Sequence, residues 1–312
     1  MSISTEDRPG VIDARPVRHP GRWVAVAVIL VIVAMMASSA LTNPRWNWGK
    51  AFEIMQQTPI IRGLLMGTIV GTIGAMIVGF SLGVLMAVMR LSDNPVLRGV
   101  AFVYVWFFRS IPRYVLLATM GSLGYLYPVL DIGVPFGKAM GLTVAQIDVN
   151  ALSNSLVFGI LGLGLSEAAY MAEIARAGIQ SVDKGQTEAA QSIGMSPGQT
   201  MRRIILPQAM RVIVPPTGNE TQAMVKDTSL LLAMGGTAAT NELFYQAQAI
   251  GTRTLLIMPA YVAAVAWYLI VCSVLMVIQA RLERYYGRGF GTASQNNATR
   301  AKLLGLAGGG PR

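Results

Sequence analysis

The sequence predicts an all-α, polytopic membrane protein of about six transmembrane helices, and three observations predict it. Hydrophobic residues make up 53% of the 312-residue chain and charged residues only 13%, about half the charged share of ordinary globular proteins. Mean hydropathy is +0.52, and several apolar runs approach the ~20 residues that a helix needs to cross a bilayer. The third observation is where the positive charge lies. Spans are expected at 22–42, 63–89, 99–122, 151–175, 208–235 and 257–280. With the N-terminus inside, the inner segments then hold 17 of the 25 Lys and Arg residues and the outer segments 5. Cytoplasmic loops carry such an excess, so both termini are expected in the cytoplasm.

Composition also excludes. The net charge of +10 is spread between apolar spans rather than gathered on one soluble patch, so no nucleic-acid partner is expected. A single cysteine, Cys272, leaves no intrachain disulfide and no zinc ligand set, and the single histidine, His19, lies in a polar tail. A Ser-His-Asp site therefore lacks its base. An intramembrane enzyme would need a buried nucleophile with a base or metal, for which the residues offer no set. An ion-coupled secondary transporter would more often show inverted repeats, and none is found.

Residues 1–21 are polar, proline-rich and without apolar periodicity, which predicts a disordered cytoplasmic tail. Residues 22–62 then supply an N-terminal transmembrane helix and an outer loop, in which Trp46 and Trp48 read as interfacial anchors. The first apolar run is longer than the apolar stretch of a secretory signal, so a retained anchor is expected. In the second span Gly67 and Gly71, then Gly79 and Gly83, stand four apart, a spacing that lets helix backbones approach closely. Asp93, Asn94 and Pro95 mark a turn. In the third span Pro112 removes a backbone bond, and Arg109 and Arg113, four apart, are expected on one helical face. Either they snorkel to an interface or they serve a pathway or interhelix contact. Residues 124–150 form the longest outer connection. Residues 284–312 are expected to be a second cytoplasmic tail.

Between Ala168 and Leu232 a polar stretch interrupts the apolar text on the expected cytoplasmic side. Gly185 to Ser192 predicts one or two turns of helix, with small Ala189 and Ala190 beside the carboxylate of Glu188 and a stop at Gly194. A surface so small-faced fits deep in another protein's groove. Ser196 then serves as N-cap, Pro197 takes the first helical position and Gln199 completes a capping box. The helix begun there runs to Leu206 and is bent or ended by Pro207.

The spacing Glu188-Ala189-Ala190, three residues, Gly194, nine residues, Ile204, one residue, Leu206-Pro207 resembles the EAA loop of ATP-binding-cassette importer permeases. The flanks AAYMAEIARAGI, GQTEAA, LPQAMR and KDTSL look like the polar amino-acid uptake branch of that family, and the likeness covers roughly 63–283. The resemblance implies a five-helix type I importer core over 63–283, preceded by one additional helix, in a bacterial cytoplasmic membrane. It implies a second permease chain, identical or similar, two ATPase subunits on the cytoplasmic face, and an extracytoplasmic amino-acid-binding protein. Gly185, Glu188, Ala189, Ala190, Gly194 and Met195 would be the coupling segment that docks in an ATPase groove. No phosphate loop is present, since Gly49-Lys50 and Gly137-Lys138 are each followed by Ala. No cofactor is therefore expected on this chain, with ATP and Mg held by the partner ATPase. Where the family often has R-G-T-P, Arg109-Ser110-Ile111-Pro112 stands here, with Leu116 where a Gln is often found.

Polar residues inside the spans are the remaining candidates. At ~1.5 Å per residue, Asn219 lies ~12 Å and Lys226 ~22 Å beyond Arg211. Asn219, Gln222, Lys226 and Ser229 recur on one helical face, Glu220 and Asp227 on the adjoining one, and Pro215-Pro216 is expected to bend the helix before them. Glu167 lies ~13 Å above Arg176 on the preceding span. Such groups line a cavity or a subunit contact rather than meet lipid. The candidate pathway residues are thus Arg109, Glu167, Asn219, Glu220, Lys226 and Asp227, and a network that only holds a dimer together is the equal alternative.

Overall fold

The computed structural model describes residues 20–134, 141–153, 155–236 and 241–286. Both predicted tails lie, apart from their innermost residues, outside the described residues. The chain divides into two compact units, Met1–Asn47 and Trp48–Arg312. In the first, helix α1 (Pro20–Thr42) is apolar on every side, with Trp23, Ile29, Met35 and Leu41 along it, the composition of a membrane-spanning helix.

The second unit is a helical bundle. Helix α2 (Trp48–Met55) precedes α3 (Thr58–Leu91), then come α4 (Pro95–Ser110) and α5 (Arg113–Leu126). A two-stranded antiparallel hairpin, β1 (Val129–Gly133) with β2 (Thr143–Asp148), leads through the short α6 (Val149–Ser153) into α7 (Leu156–Gln180). Helices α8 (Lys184–Ser192) and α9 (Pro197–Thr200) follow. The latter runs through a widened turn into α10 (Leu206–Asp227), and α11 (Leu243–Thr254) and α12 (Ile257–Tyr286) close the unit.

Among the described residues, α1, α3, α7 and α12 are long and apolar enough to span a membrane, and α4 with α5 makes a fifth if the pair is one broken span. The expectation of one helix over 99–122 is corrected here: α4 and α5 are bent by 100° to each other. Proline disfavours helical geometry in the residue before it, and Ile111 is extended, at φ −93° and ψ 130°, with Pro112 opening α5. Arg109 and Arg113 therefore do not share a helical face. The expected span 208–235 is a helix only to Asp227 and tightens into a 3₁₀ stretch over Thr228–Met234. Pro215 and Pro216 sit inside α10, which continues through them. Pro207 does not end the helix either. Its ring would meet the carbonyl of Arg203, and the π turn over Met201–Ile205 absorbs the conflict. The hairpin and α11 were not foreseen, both arising where short segments alternate with turn residues.

In lipid, helices gain little from excluding water, so close packing through small residues holds them together. That is how α3 meets α7. A Cβ placed on Gly79 would come within 2.6 Å of Glu167 Cγ, and one on Gly164 within 2.6 Å of Val78 Cβ, so glycines from both helices take up the partner's bulk. Ala75, Leu117, Leu163, Met224 and Leu231 form the buried centre where α3, α5, α7 and α10 converge. Gly79→Val is expected to cost about 1–3 kcal/mol through overpacking. A lowered thermal midpoint of the purified chain in detergent checks it, and an unchanged midpoint would refute the close α3–α7 contact.

Helix α2 belongs with this bundle rather than with α1: Trp267 Nε1 of α12 donates to the carbonyl of Met55 at 3.0 Å. Nearby, Glu242 is fully buried and caps α11, its Oε2 accepting from the backbone N–H of Phe244 at 2.7 Å and of Tyr245 at 3.1 Å. Its Oε1 accepts from Thr68 Oγ1 at 3.3 Å and from the Tyr268 hydroxyl, joining α3, α11 and α12 at one carboxylate.

Candidate functional site

Two groups of polar residues stand out, one within the bundle and one at its end. The first is organised by Arg113. Because Pro112 opens α5, Arg113 occupies its first turn, and its largely buried guanidinium reaches carboxylates on two other helices. Nη2 donates to Glu167 Oε2 at 2.8 Å, Nη1 donates to Asp227 Oδ2, and Glu220 Oε2 lies 3.9 Å away. The Tyr170 ring lies beneath both arginines, its centroid 4.8 Å from the Arg113 guanidinium carbon and 5.4 Å from that of Arg109. The break that separates the two arginines in the helix thus returns them to one aromatic face. Gly79 leaves the room that Glu167 occupies. Glu167 is fully buried, and its Oε1 has no hydrogen-bond partner among the described residues. A buried carboxylate tolerates such a place only with a charged, hydrogen-bonded partner, which Arg113 provides.

Of the six candidate pathway residues, Arg109, Glu167, Glu220 and Asp227 are brought together here. Asn219 and Lys226 face elsewhere. Asn219 Oδ1 accepts from Gln279 Nε2 of α12 at 2.9 Å, and the same nitrogen approaches the Pro215 carbonyl at 3.3 Å and Glu283 Oε1 at 2.8 Å. Gln222 Nε2 donates to Gln279 Oε1, completing a polar seam between α10 and α12. Lys226 makes no ion pair among the described residues and borders a cavity of about 430 Å³ with Gln222, Ser229, Tyr268 and Cys272. Asp227 and Lys226, adjacent in sequence, therefore serve two different surroundings. Tyr170 and Gln279 escaped the sequence reading, as did the organising place of Arg113. A lone glutamine in the apolar run of α12 was the signal available for one of them.

The second group is the segment 183–199. Asp183 caps α8, its Oδ1 accepting from the N–H of Gly185 at 2.7 Å. At the other end Gly194 adopts φ +81°, its N–H donating to the Gln191 carbonyl at 2.9 Å while that of Met195 donates to Ala190 at 3.0 Å. This is the left-handed stop that glycine accommodates best. The predicted capping box is present, with Ser196 N–H donating to Gln199 Oε1 at 3.1 Å and Gln199 N–H donating to Ser196 Oγ at 3.4 Å. Gly185, Glu188, Ala189 and Gly194 are exposed, and so is Ile193, a large apolar side chain 79% exposed. Ala190 lies on the other side of α8. Two residues along a helix turn the side chain by about 200°, so Ala190 faces opposite to Glu188 and is buried against its own chain.

Residues 79–287 match the family described as binding-protein-dependent transport system inner membrane component. The chain belongs to that family. It is 43% identical over 96% of its length, and 90% of the relative's, to the arginine transport system permease protein ArgU of Corynebacterium glutamicum. The L-cystine transport system permease protein TcyB of Bacillus subtilis is 36% identical over 76% of this chain and 93% of its own. Among solved structures, an amino acid ABC transporter chain, 29% identical, matches with a TM-score of 0.56 over 73% of this chain and 94% of its own. The resemblance to the polar amino-acid uptake branch holds. The chain is an importer's membrane permease subunit, a multi-pass all-α protein of the inner membrane, and not itself the ATPase.

Proposed function

We propose that this permease carries an amino acid across the cytoplasmic membrane and is driven by separate ATPase subunits that grip α8 and its flanks. The observation that carries the reading is the segment 183–199. A nine-residue helix capped at both ends, with the stop that follows it, leaves Gly185, Glu188, Ala189, Ile193 and Gly194 exposed, an ordered projection that no element among the described residues covers. The Met195 N–H closes its C-terminal end by donating to the Ala190 carbonyl at 3.0 Å. In this reading ATP and Mg are held by two ATPase subunits, and closure of those subunits favours one arrangement of a permease pair while hydrolysis releases it. An external binding protein delivers the substrate. Both termini lie in the cytoplasm, and residues 63–283 form the transport core, with 22–62 an addition to it.

Inside the bundle, three carboxylates around Arg113 exceed the two guanidinium groups there, which favours a substrate with a positively charged group. Lys226, on the neighbouring face, suits the substrate's carboxylate. The surplus and the likeness to an arginine permease both favour a basic amino acid. Arg109, Glu167, Asn219, Glu220, Lys226 and Asp227 line or support the route.

The test is uptake of labelled amino acids into vesicles holding the permease, its ATPase and its binding protein. Uptake is expected to stop when ATP is removed with the proton gradient held, and to persist when the gradient is collapsed with ATP present; the reverse would make the chain a secondary transporter. In the same vesicles Lys226→Ala is expected to assemble normally and to raise the KM for uptake about fivefold or more, the loss of one charge contact of about 1 kcal/mol. Unchanged kinetics would remove Lys226 from the route.

A further inference from the structure

Where α3 ends, α4 begins and α7 ends, two arginines pair with one carboxylate and a third lines the cleft beside them. Glu173 lies 3.3 Å from Arg90 Nη2 and accepts from Arg176 Nε at 3.0 Å and Nη2 at 2.7 Å. Arg176 Nη1 also donates to Gln180 Oε1 at 2.6 Å. Arg98, one turn into α4, is exposed and makes no ion pair among the described residues. Arg90, Arg98, Arg176, Phe102 and Gln180 line a half-open cleft of about 360 Å³. With Glu173 as the carboxylate paired there, the cleft keeps a formal surplus of two positive charges. None of these residues takes part in the Arg113 group or in the capped segment 183–199.

The cleft does not end in water. Phe102 forms part of its wall, with the Arg90 guanidinium 5.2 Å above the ring, and continues into the exposed apolar face of α4. Trp106 stands one turn beyond Phe102 on that face, and both are exposed. A concentration of guanidinium groups at helix ends, placed directly over an apolar stripe, matches a molecule with an anionic phosphate at one end and hydrocarbon at the other. Basic pockets between transmembrane helices recognise acidic lipid headgroups in this way, and arginine's planar fork meets phosphate oxygens in pairs.

We infer that this cleft is a binding site for an anionic phospholipid, its phosphate held by Arg98, Arg90 and Arg176 and an acyl chain laid along Phe102 and Trp106. The proposed orientation puts the site in the cytoplasmic leaflet, a few residues before α8, but binding itself does not depend on that orientation.

The experiment uses the full chain, purified in detergent and depleted of lipid. Native mass spectrometry then compares retention of phosphatidylglycerol with that of phosphatidylcholine bearing the same chains. Preferential retention of phosphatidylglycerol is expected. At about fivefold per surface charge, Arg98→Gln should weaken that retention about fivefold and Arg98→Glu about thirtyfold, with Arg98→Lys keeping most of it. Because Arg98 is exposed and unpaired among the described residues, these variants should keep the parent's thermal midpoint, and Arg98→Gln serves if the reversal misfolds. Equal retention of the two lipids, or undiminished phosphatidylglycerol binding by the variants, would overturn the site. Displacement of phosphatidylglycerol by millimolar inorganic phosphate would mark a site for free anions and overturn the lipid. Failure of ATP-driven uptake in the vesicle test would leave this result untouched.

Discussion

Arg113→Met is expected to destabilise the permease by about 3–5 kcal/mol, the cost of leaving one member of a buried ion pair without its partner. Glu167 is fully buried, with one oxygen already unpaired among the described residues and the other held by Arg113. Removing the guanidinium strands this carboxylate and frees Asp227 and Glu220 to repel each other and it. Arg113→Lys should recover only part of the loss, since an ammonium is a single point of charge and cannot divide two nitrogens between Glu167 and Asp227 as the guanidinium does. Combining Arg113→Met with Glu167→Gln is expected to restore most of the stability without restoring transport, because the buried charge is gone but so is the constellation. Thermal midpoints in detergent and uptake in vesicles separate the two effects. An Arg113→Met protein as stable as its parent would show that the cluster is solvated and that its ion pairs bear little load.

That cluster was only partly legible in the sequence. Glu167, Glu220, Asp227 and Arg109 stood out because charge is rare at those depths in an apolar run. Arg113 was noticed beside Arg109, but it was read as a neighbour on the same helical face. The 100° bend at Ser110–Pro112 is a tertiary fact to which Pro112 gave a local hint, and it decides between the two roles left open for Arg113 by bringing it to the centre of the group. Local signals fared better. Ser196, Pro197 and Gln199 predicted a capping box, and Gly194 a helix stop, since each rests on contacts within a few residues of chain. The glycine pairs of α3 predicted close packing, while the partners, α7 for Gly79 and Gly83 but Asn241 for Gly67 and Thr228 for Gly71, could be known only from the fold. Asn219 illustrates the opposite case: its depth marked it for the route, whereas its partner Gln279 is 60 residues away.

Glu188→Lys and Gly194→Trp are expected to reduce ATP-coupled uptake about thirtyfold or more, the loss typical of an interface hot spot, while leaving the permease folded. The two variants probe different physics. Glu188 is exposed on α8 and changing its sign alters nothing that the chain itself needs, whereas in a docked groove a like-charge contact costs several kcal/mol. Gly194 combines φ +81° with open space where a Cβ would point, so within this chain a side chain there meets no neighbour and pays only the left-handed backbone cost of about 1–2 kcal/mol. Gly194→Asn, which tolerates that conformation, controls for the backbone term and should retain most activity if the groove admits a small side chain. Gly194→Trp adds bulk that only a partner would feel. Its loss of uptake should therefore come with loss of the ATPase from the purified complex, read by co-purification, while the thermal midpoint of the isolated permease falls by no more than that backbone cost allows. Full coupling in both variants would mean that the motor grips the permease somewhere other than the segment from Asp183 to Met195.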